Sequence, residues 1–462
     1  MKDDAEDVTD AIDALIESGR PYNGLIPSIQ SIDKPGMLDS MPPCIDGQRA
    51  HDRAFRGSNL MHDHPLLKAM REAGPLLGRP EWRDAANRYL HYFAHNCTDT
   101  PSGLFPWGEH SFWHLAEGRV GNGLTDSAGR DESRVIHDHL NQAPHWLWTT
   151  LGEINPDCVE NFCEGLDFHW IDSERTRYNR HAPLDGGSPL CGMEKARACD
   201  FPRHSGHYMF DLACGILQAD RGDFRQQYRR FLDYWWEKRH PSGLCPSESQ
   251  TGSSYHAQLM TEQTLSLAVS LLEAADLLQN TDAELAATSH RRAECYIEGV
   301  LGAGHEPDKG LFVAALHPDT GEVGETFVAW GSSYGTGPLA QFALMLCRGH
   351  HFVDHPKLLD MAEGAARVLA ETQWPDHLPM PGMDVGVAIE LMVEIYEQTG
   401  RSKWLDRASM LSRKAIDRLL DRCLPRGATE INFYDSQMRV SYLIHALLRC
   451  KLATNGTAMS GN

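Results

Sequence analysis

The chain has 462 residues, is 41% hydrophobic, and sets 64 acidic against 43 basic side chains for a formal net charge of −21. That content supports a large buried core and allows one big domain, while the acidic balance excludes the basic footprint that nucleic-acid binding requires. No apolar run reaches membrane-spanning length, and an anionic partner would need a locally basic groove. Met1 to Asp7 show no basic-then-apolar secretion signal, which leaves the compartment open: periplasmic or secreted if a leader was removed, cytoplasmic otherwise. The twelve cysteines form no Cys-x-x-Cys pair, so they read as reduced core thiols rather than a zinc site or disulfide scaffold.

In chain order, residues 1–45 read as a helix and a Pro-rich arm packing on a barrel, and residues 46–462 as one catalytic domain. Apolar residues recurring at three and four predict helices over 81–95, 145–154, 224–238, 258–278, 286–300, 338–348, 357–372, 386–399, 404–420 and 439–452. The 258–278 segment is apolar over more than half its circumference, as expected of an inner helix. Two aromatic helix ends, at Tyr92 and Tyr234-Trp235-Trp236, lead into the same turn, Pro101-Ser-Gly-Leu104 and Pro241-Ser-Gly-Leu244. Gly and Pro stop a helix and turn the chain. Repeated helix–turn–helix units predict an all-α fold, an (α/α) toroid of six or seven hairpins. The strand signal is one small hairpin, 310–315 with 326–330. In such a toroid the loops ahead of the inner helices form a cleft, and the repeated turns would place Trp107, Glu109, His110, Trp113, Glu248 and Tyr255 there.

Two segments concentrate chemistry. Ile136-His-Asp-His-Leu-Asn-Gln-Ala-Pro-His-Trp146 holds His137, His139, Asn141, His145 and Trp146; Phe201-Pro-Arg-His-Ser-Gly-His-Tyr208 holds Arg203, His204, His207 and Tyr208. An amide, a guanidinium, imidazoles and a phenol are the groups that β-elimination from a uronate needs. The carboxylate must be stabilised as charge develops on it. A base must take the C5 proton and an acid must protonate the leaving oxygen. Structural readings compete: Asn141 as a helix cap, His204 and His207 as packed histidines, Tyr208 as a half-buried helix residue, and Trp107 as core. His62-Asp-His64 and His137-Asp-His139 look ligand-like, but His-x-His on a helix does not converge on a metal. The expected mechanism therefore uses no cofactor, and a divalent cation is not favoured.

His139-Leu-Asn-Gln-Ala-Pro-His-Trp146 resembles the Asn-containing helix start of α/α-toroid polysaccharide lyases. Asn141 and Trp146 match a related Asn-Asn-His-x-Tyr-Trp motif, with His145 standing where that motif has Tyr. The Arg203 to Tyr208 segment is similar to the Arg/His…Tyr segment of those enzymes, with shorter spacing. The pattern most resembles polysaccharide lyase family 38. That resemblance implies an alginate or glucuronan lyase with Asn141 neutralising the carboxylate, His204 as base, Tyr208 as acid and Arg203 binding the carboxylate. Trp107, His110, His139, His145, Trp146, His207, Tyr255, His256, Trp330 and Tyr334 are the expected substrate contacts. The expected partner is an acidic polysaccharide, with no nucleic acid or membrane. The alternatives on the same barrel are a glycoside hydrolase, using acids such as Glu109, Asp211, Glu248 and Glu262, and a sugar epimerase. A non-catalytic glycan-binding toroid would keep the tryptophans alone.

Overall fold

A computed structural model of the chain describes residues 4–138, 141–187, 199–249, 258–331, 339–375, 378–459 and 461. Its helices are α1 (Asp4–Gly19), α2 (Leu60–Leu76), α3 (Pro80–Asn96), α4 (His145–Ile154), α5 (Pro156–Gly165), α6 (Pro202–Ala219), α7 (Gly222–Lys238), α8 (Thr261–Leu278), α9 (Ala283–Leu301), α10 (Leu339–Phe352), α11 (Pro356–Glu371), α12 (Gly382–Thr399), α13 (Ser402–Leu419) and α14 (Val440–Thr454). The even-numbered helices form an inner ring. α6, α8, α10, α12 and α14 pack in succession, and α14 closes onto α2. Arg71 of α2 links across to α4, donating to Thr150 (2.6 Å) and lying over Trp146. Each odd-numbered helix from α3 to α13 backs the inner helix before it. α1 lies outside against α3, α13 and α14, so the seventh hairpin joins the two ends of the chain.

Sequence chemistry explains the layering. Inner helices are buried on nearly every side: α12 holds Val385 to Val393 without an exposed residue, and α8 and α14 are similar. Outer helices bury one stripe, as Trp404, Ala408, Ala415 and Leu419 do in α13. α12 and α14 approach so closely that a Cβ on Gly386 would stand 2.5 Å from the Leu443 amide nitrogen. Pro80, Pro156, Pro202 and Pro356 each open a helix, where a missing N–H costs nothing. The repeated turns follow α3 and α7, and their Leu104 and Leu244 are both fully buried.

The α/α toroid matches the expected fold class. Among the described residues the strands exceed the single hairpin expected: four sheets of two or three strands, each strand two to four residues long. Loops ahead of the inner helices pair backbone with backbone in runs too short to show alternation. The hairpin itself lies at Val313–Leu316 with Val323–Thr326. Helices α2 and α6 lacked a clean apolar period because polar residues interrupt their buried faces, and α5 is only ten residues long. No described helix is long and apolar enough to cross a membrane, and the described cysteines are unpaired thiols.

Two clasps close the ring. Ile29–Ser31 pairs antiparallel with Phe433–Asp435, and buried Asp435 accepts from Arg53 at 2.7 Å and Gln48 at 3.1 Å. On α14, Arg449 is only 2% exposed and reaches Glu390 (2.5 Å) and Glu394 (2.6 Å) of α12, and also Glu397. Although burial opposes it, Arg449 with His445 holds the Glu390 carboxyl well below its usual range. Arg449→Ala strands buried carboxylates, and the expected cost is about 3–5 kcal/mol in denaturant unfolding; a loss below about 1 kcal/mol would show that this clasp does not hold the ring.

Candidate functional site

The first turns of the inner helices and the loops ahead of them surround a cavity of about 140 Å³ at the centre of the ring. His64 of α2, Asn141 and Gln142 just ahead of α4, Arg203 and His207 of α6, Glu262 of α8, Arg348 of α10 and Tyr442 of α14 all line it. The Asn141 amide donates to the Tyr442 hydroxyl at 2.9 Å. The His64 ring stands edge-on to Tyr442, with centroids 6.1 Å apart. Arg203 lies 3.6 Å from Glu262, and burial lowers its pKa. Glu273 accepts from Gln142 (2.5 Å) and Arg348 (2.9 Å), bracing the far wall. The lining thus brings two guanidinium groups, two imidazoles, three amides (Asn141, Gln142 and Gln341), a phenol and the Glu262 carboxylate into one small space.

The geometry of α6 decides which residues of its cluster reach that space. Arg203 and His207 are four apart and share a face; His204 and Tyr208 turn about 100° away. Tyr208 is fully buried and donates to the Arg180 carbonyl (3.2 Å), with its oxygen 3.3 Å from His169 Nδ1. His204 is also fully buried, its Nε2 3.5 Å from Asp138. Neither of these two, the base and acid expected from sequence, lines the cavity.

Beneath His204 lies a second constellation, built from loops ahead of α2, α4 and α6. Arg180 donates to Asp138 (2.6 Å) and Glu109 (2.8 Å) through one nitrogen. Burial, reinforced by Glu109, pushes the Asp138 carboxyl up to about 7 against the pull of Arg180. Glu109 goes the other way: Arg180 and His110 hold it well below its usual range despite burial. The pair therefore keeps one proton, on Asp138. His110 Nε2 is 3.2 Å from His181 Nε2. Burial and Arg180 hold His181 well below its usual range, whereas Asp52 and Glu109 raise His110 against its burial, so the two rings share one N–H between them. His51 and Arg49 close the cluster on Asp52, at 3.3 and 2.7 Å. Two groups here could hold a metal ion, His51–Asp52–His110 and His110–Asp138–His181, with ligand atoms within 4.8 Å of one another; mixed imidazole and carboxylate donors suit a divalent transition metal.

The other expected residues scatter. Trp107 is fully buried among Phe105, Trp148 and Phe162, with centroids 5.0–5.6 Å away, and is core rather than a sugar platform. His110 belongs to the buried charge cluster. His145 is exposed at the start of α4, 3.3 Å from Thr149, and Trp146 is half-buried under Arg71. Trp330 donates to the Thr372 carbonyl (3.0 Å) and packs on Trp374. His139, Tyr255, His256 and Tyr334 lie outside the described residues. Of the acids considered for hydrolysis, Glu262 alone lines the cavity; Asp211 is buried, accepting from Trp148 at 2.9 Å. Sequence reasoning missed Tyr442, Arg348, Asp138, Arg180 and His181. Tyr442 sat in a predicted helix without local signal; the adjacent Arg180-His181, like Glu109-His110, was a readable pairing of a charged group with an imidazole.

A family model described as periplasmic pectate lyase matches residues 45–191. That stretch contains the whole buried charge cluster and Asn141, and it ends before α6. No curated protein matches the chain. Among solved structures, D-mannose isomerase superposes with a TM-score of 0.53 at 11% identity, over 79% of this chain and 96% of its own. The unsaturated glucuronyl hydrolase of Bacillus sp. GL1 gives 0.49 at 12% identity, over 97% and 96%. Cellobiose 2-epimerase of Bacillus thermoamylovorans gives 0.45 at 8%, over 96% and 98%. The likeness to D-mannose isomerase is one of fold: the chain is an α/α toroid.

The buried pair has a pH signature. Asp138 titrates near 3.8 in the unfolded chain and at about 7 when folded. Between those values the unfolded chain has lost a proton that the folded protein keeps, so this group favours folding near pH 4 and the advantage fades as pH rises to 7. Asp138→Asn should flatten that fall in urea unfolding between about pH 4 and 8; an unchanged slope would mean that Asp138 ionises normally.

Proposed function

We propose that the protein is a polysaccharide lyase that cleaves a uronic-acid polymer by β-elimination in the central cavity. The observation that carries this reading is the Asn141–Tyr442 hydrogen bond in a cavity that also holds His64, Arg203 and His207. The pectate lyase match over residues 45–191 supports the reaction class, and the resemblance of the Asn141 segment to polysaccharide lyase family 38 supports alginate or glucuronan as substrate.

In this reading Asn141 and Arg203 receive the uronate carboxylate and stabilise the charge that builds on it. His207, rather than His204, takes the C5 proton. The C–H electron pair becomes the C4=C5 double bond, the bond from C4 to the glycosidic oxygen breaks, and Tyr442 delivers a proton to that oxygen. Because the Tyr442 oxygen accepts from Asn141, its own proton stays free to donate. His64 lies beside that phenol and returns a proton to it from solvent.

A second reading is favoured by the two histidine–carboxylate groups. A divalent cation at His110–Asp138–His181 would add positive charge below the substrate and share the neutralisation now given to Asn141.

Incubation with alginate, glucuronan and pectate should raise the ultraviolet absorbance of the new double bond. Asn141→Ala and Tyr442→Phe should each lower kcat by about 10²–10³-fold with unchanged unfolding, while Tyr208→Phe lowers stability by about 1 kcal/mol and spares turnover. New reducing ends without absorbance would replace elimination by hydrolysis, and altered sugar identity at constant chain length would replace it by epimerisation. Chelation followed by cation re-addition separates the two arrangements: activity that survives chelation keeps neutralisation on Asn141, and activity lost and restored moves it to the histidine cluster.

A further inference from the structure

On the outer wall, a groove of about 740 Å³ runs between the turn that follows α1 and the C-terminal half of α3. Its α3 side is one helical face, with Arg88, His91, Tyr92 and His95 at spacings of three and four. Arg20 and Asn23 stand on the opposite rim. Gly24 lets that rim lie on α3: it has φ +97°, and a Cβ there would come within 3.2 Å of the Tyr89 nitrogen. The floor is apolar, from Ile26, Leu67 and Met70. The lining contains no acidic side chain, although the chain carries a net charge of −21. Arg20 is paired with Glu17 at 3.0 Å, but the Arg88 guanidinium makes no hydrogen bond or ion pair among the described residues. The His91 and His95 rings lie 4.6 Å apart on successive turns. This is also the end of α3 that leads into the loops around the central cavity.

We infer that this groove is a second binding site for an acidic oligosaccharide, separate from the reacting site. Guanidinium and imidazole N–H groups on the walls pair with carboxylates and hydroxyls. The apolar floor and the Tyr92 ring accept the C–H face of a pyranose. The absence of acids from the lining, with Glu17 outside it already paired to Arg20, is what makes an anionic polymer favourable here, on a surface that otherwise repels it. Held at this rim, a polymer stays beside the central cavity between cleavage events and rebinds at high effective concentration. The identity of the polymer as a uronan rests on the proposed lyase reaction; the anionic character of the ligand rests on the groove alone.

Affinity electrophoresis tests this in the Asn141→Ala background, which leaves the polymer intact. Gels containing alginate, glucuronan or pectate should retard the protein, and dextran should not. Arg88→Ala/His91→Ala should weaken retardation by about tenfold or more; Arg88→Glu, a single exposed change, should act in the same direction. In the otherwise native protein, Arg88→Ala/His91→Ala should leave turnover of a short oligouronate unchanged. Undiminished retardation of both variants, or equal retardation by dextran, would overturn the inference. Lost retardation with no double-bond absorbance from any polymer would keep the groove and discard the lyase reading.

Discussion

Closure of the inner ring is the constraint on which the rest of the molecule depends. Helices α8, α12 and α14 are apolar on so much of their circumference that none can stand at an open edge. The last inner helix must therefore cover the first, and the strand pair between 29–31 and 433–435, with the buried Arg53–Asp435 pair, fixes where it does so. Both charges of that pair are buried, so registry depends on each meeting the other. Closure brings Tyr442 to Asn141 across 301 residues of chain. Without it the amide and the phenol would belong to opposite ends of an open solenoid.

The two polar constellations divide the electrostatic work. The deep cluster is nearly balanced: Arg180 offsets Glu109, Asp138 keeps its proton, and His181 stays neutral. Such balance is what allows so many ionisable groups to be buried together. The cavity above it is rich in N–H donors, through Arg203, Asn141 and His207, with Glu262 beside Arg203. The loop-to-helix junctions at α2, α4 and α6 supply the deep cluster and part of the cavity wall, and α8, α10, α12 and α14 supply the rest. The outer groove also gathers N–H donors, in a lining that holds no acidic side chain.

Much of the fold was legible because amphipathic and all-apolar helices announce themselves by period, as in 258–278 and 404–420. The two Pro-Ser-Gly-Leu turns marked where an outer helix hands over to the next inner one. The short strands and helices α2 and α6 were not legible, since their buried faces carry polar groups whose partners come from distant loops. In the Arg203–Tyr208 segment composition marked a helix that reaches the cavity but not which of its faces does so. Four-residue spacing joins Arg203 to His207 and turns His204 and Tyr208 into the wall, a distinction that needs the direction of the cavity as well as the helical period.

By itself, then, the sequence determined the helical content, the toroid class, the acidic surface and the presence of amide, guanidinium and imidazole at two inner-helix starts. These are local properties, set by periodicity and by residues close in the chain. Only the tertiary structure decided that Tyr442 and His64 face Asn141, that Trp107 and Tyr208 are core, and that Glu109, His110, Asp138, Arg180 and His181 share one buried cluster. Those facts depend on which helix faces turn inward when the ring closes, and no spacing along the chain encodes a direction in space.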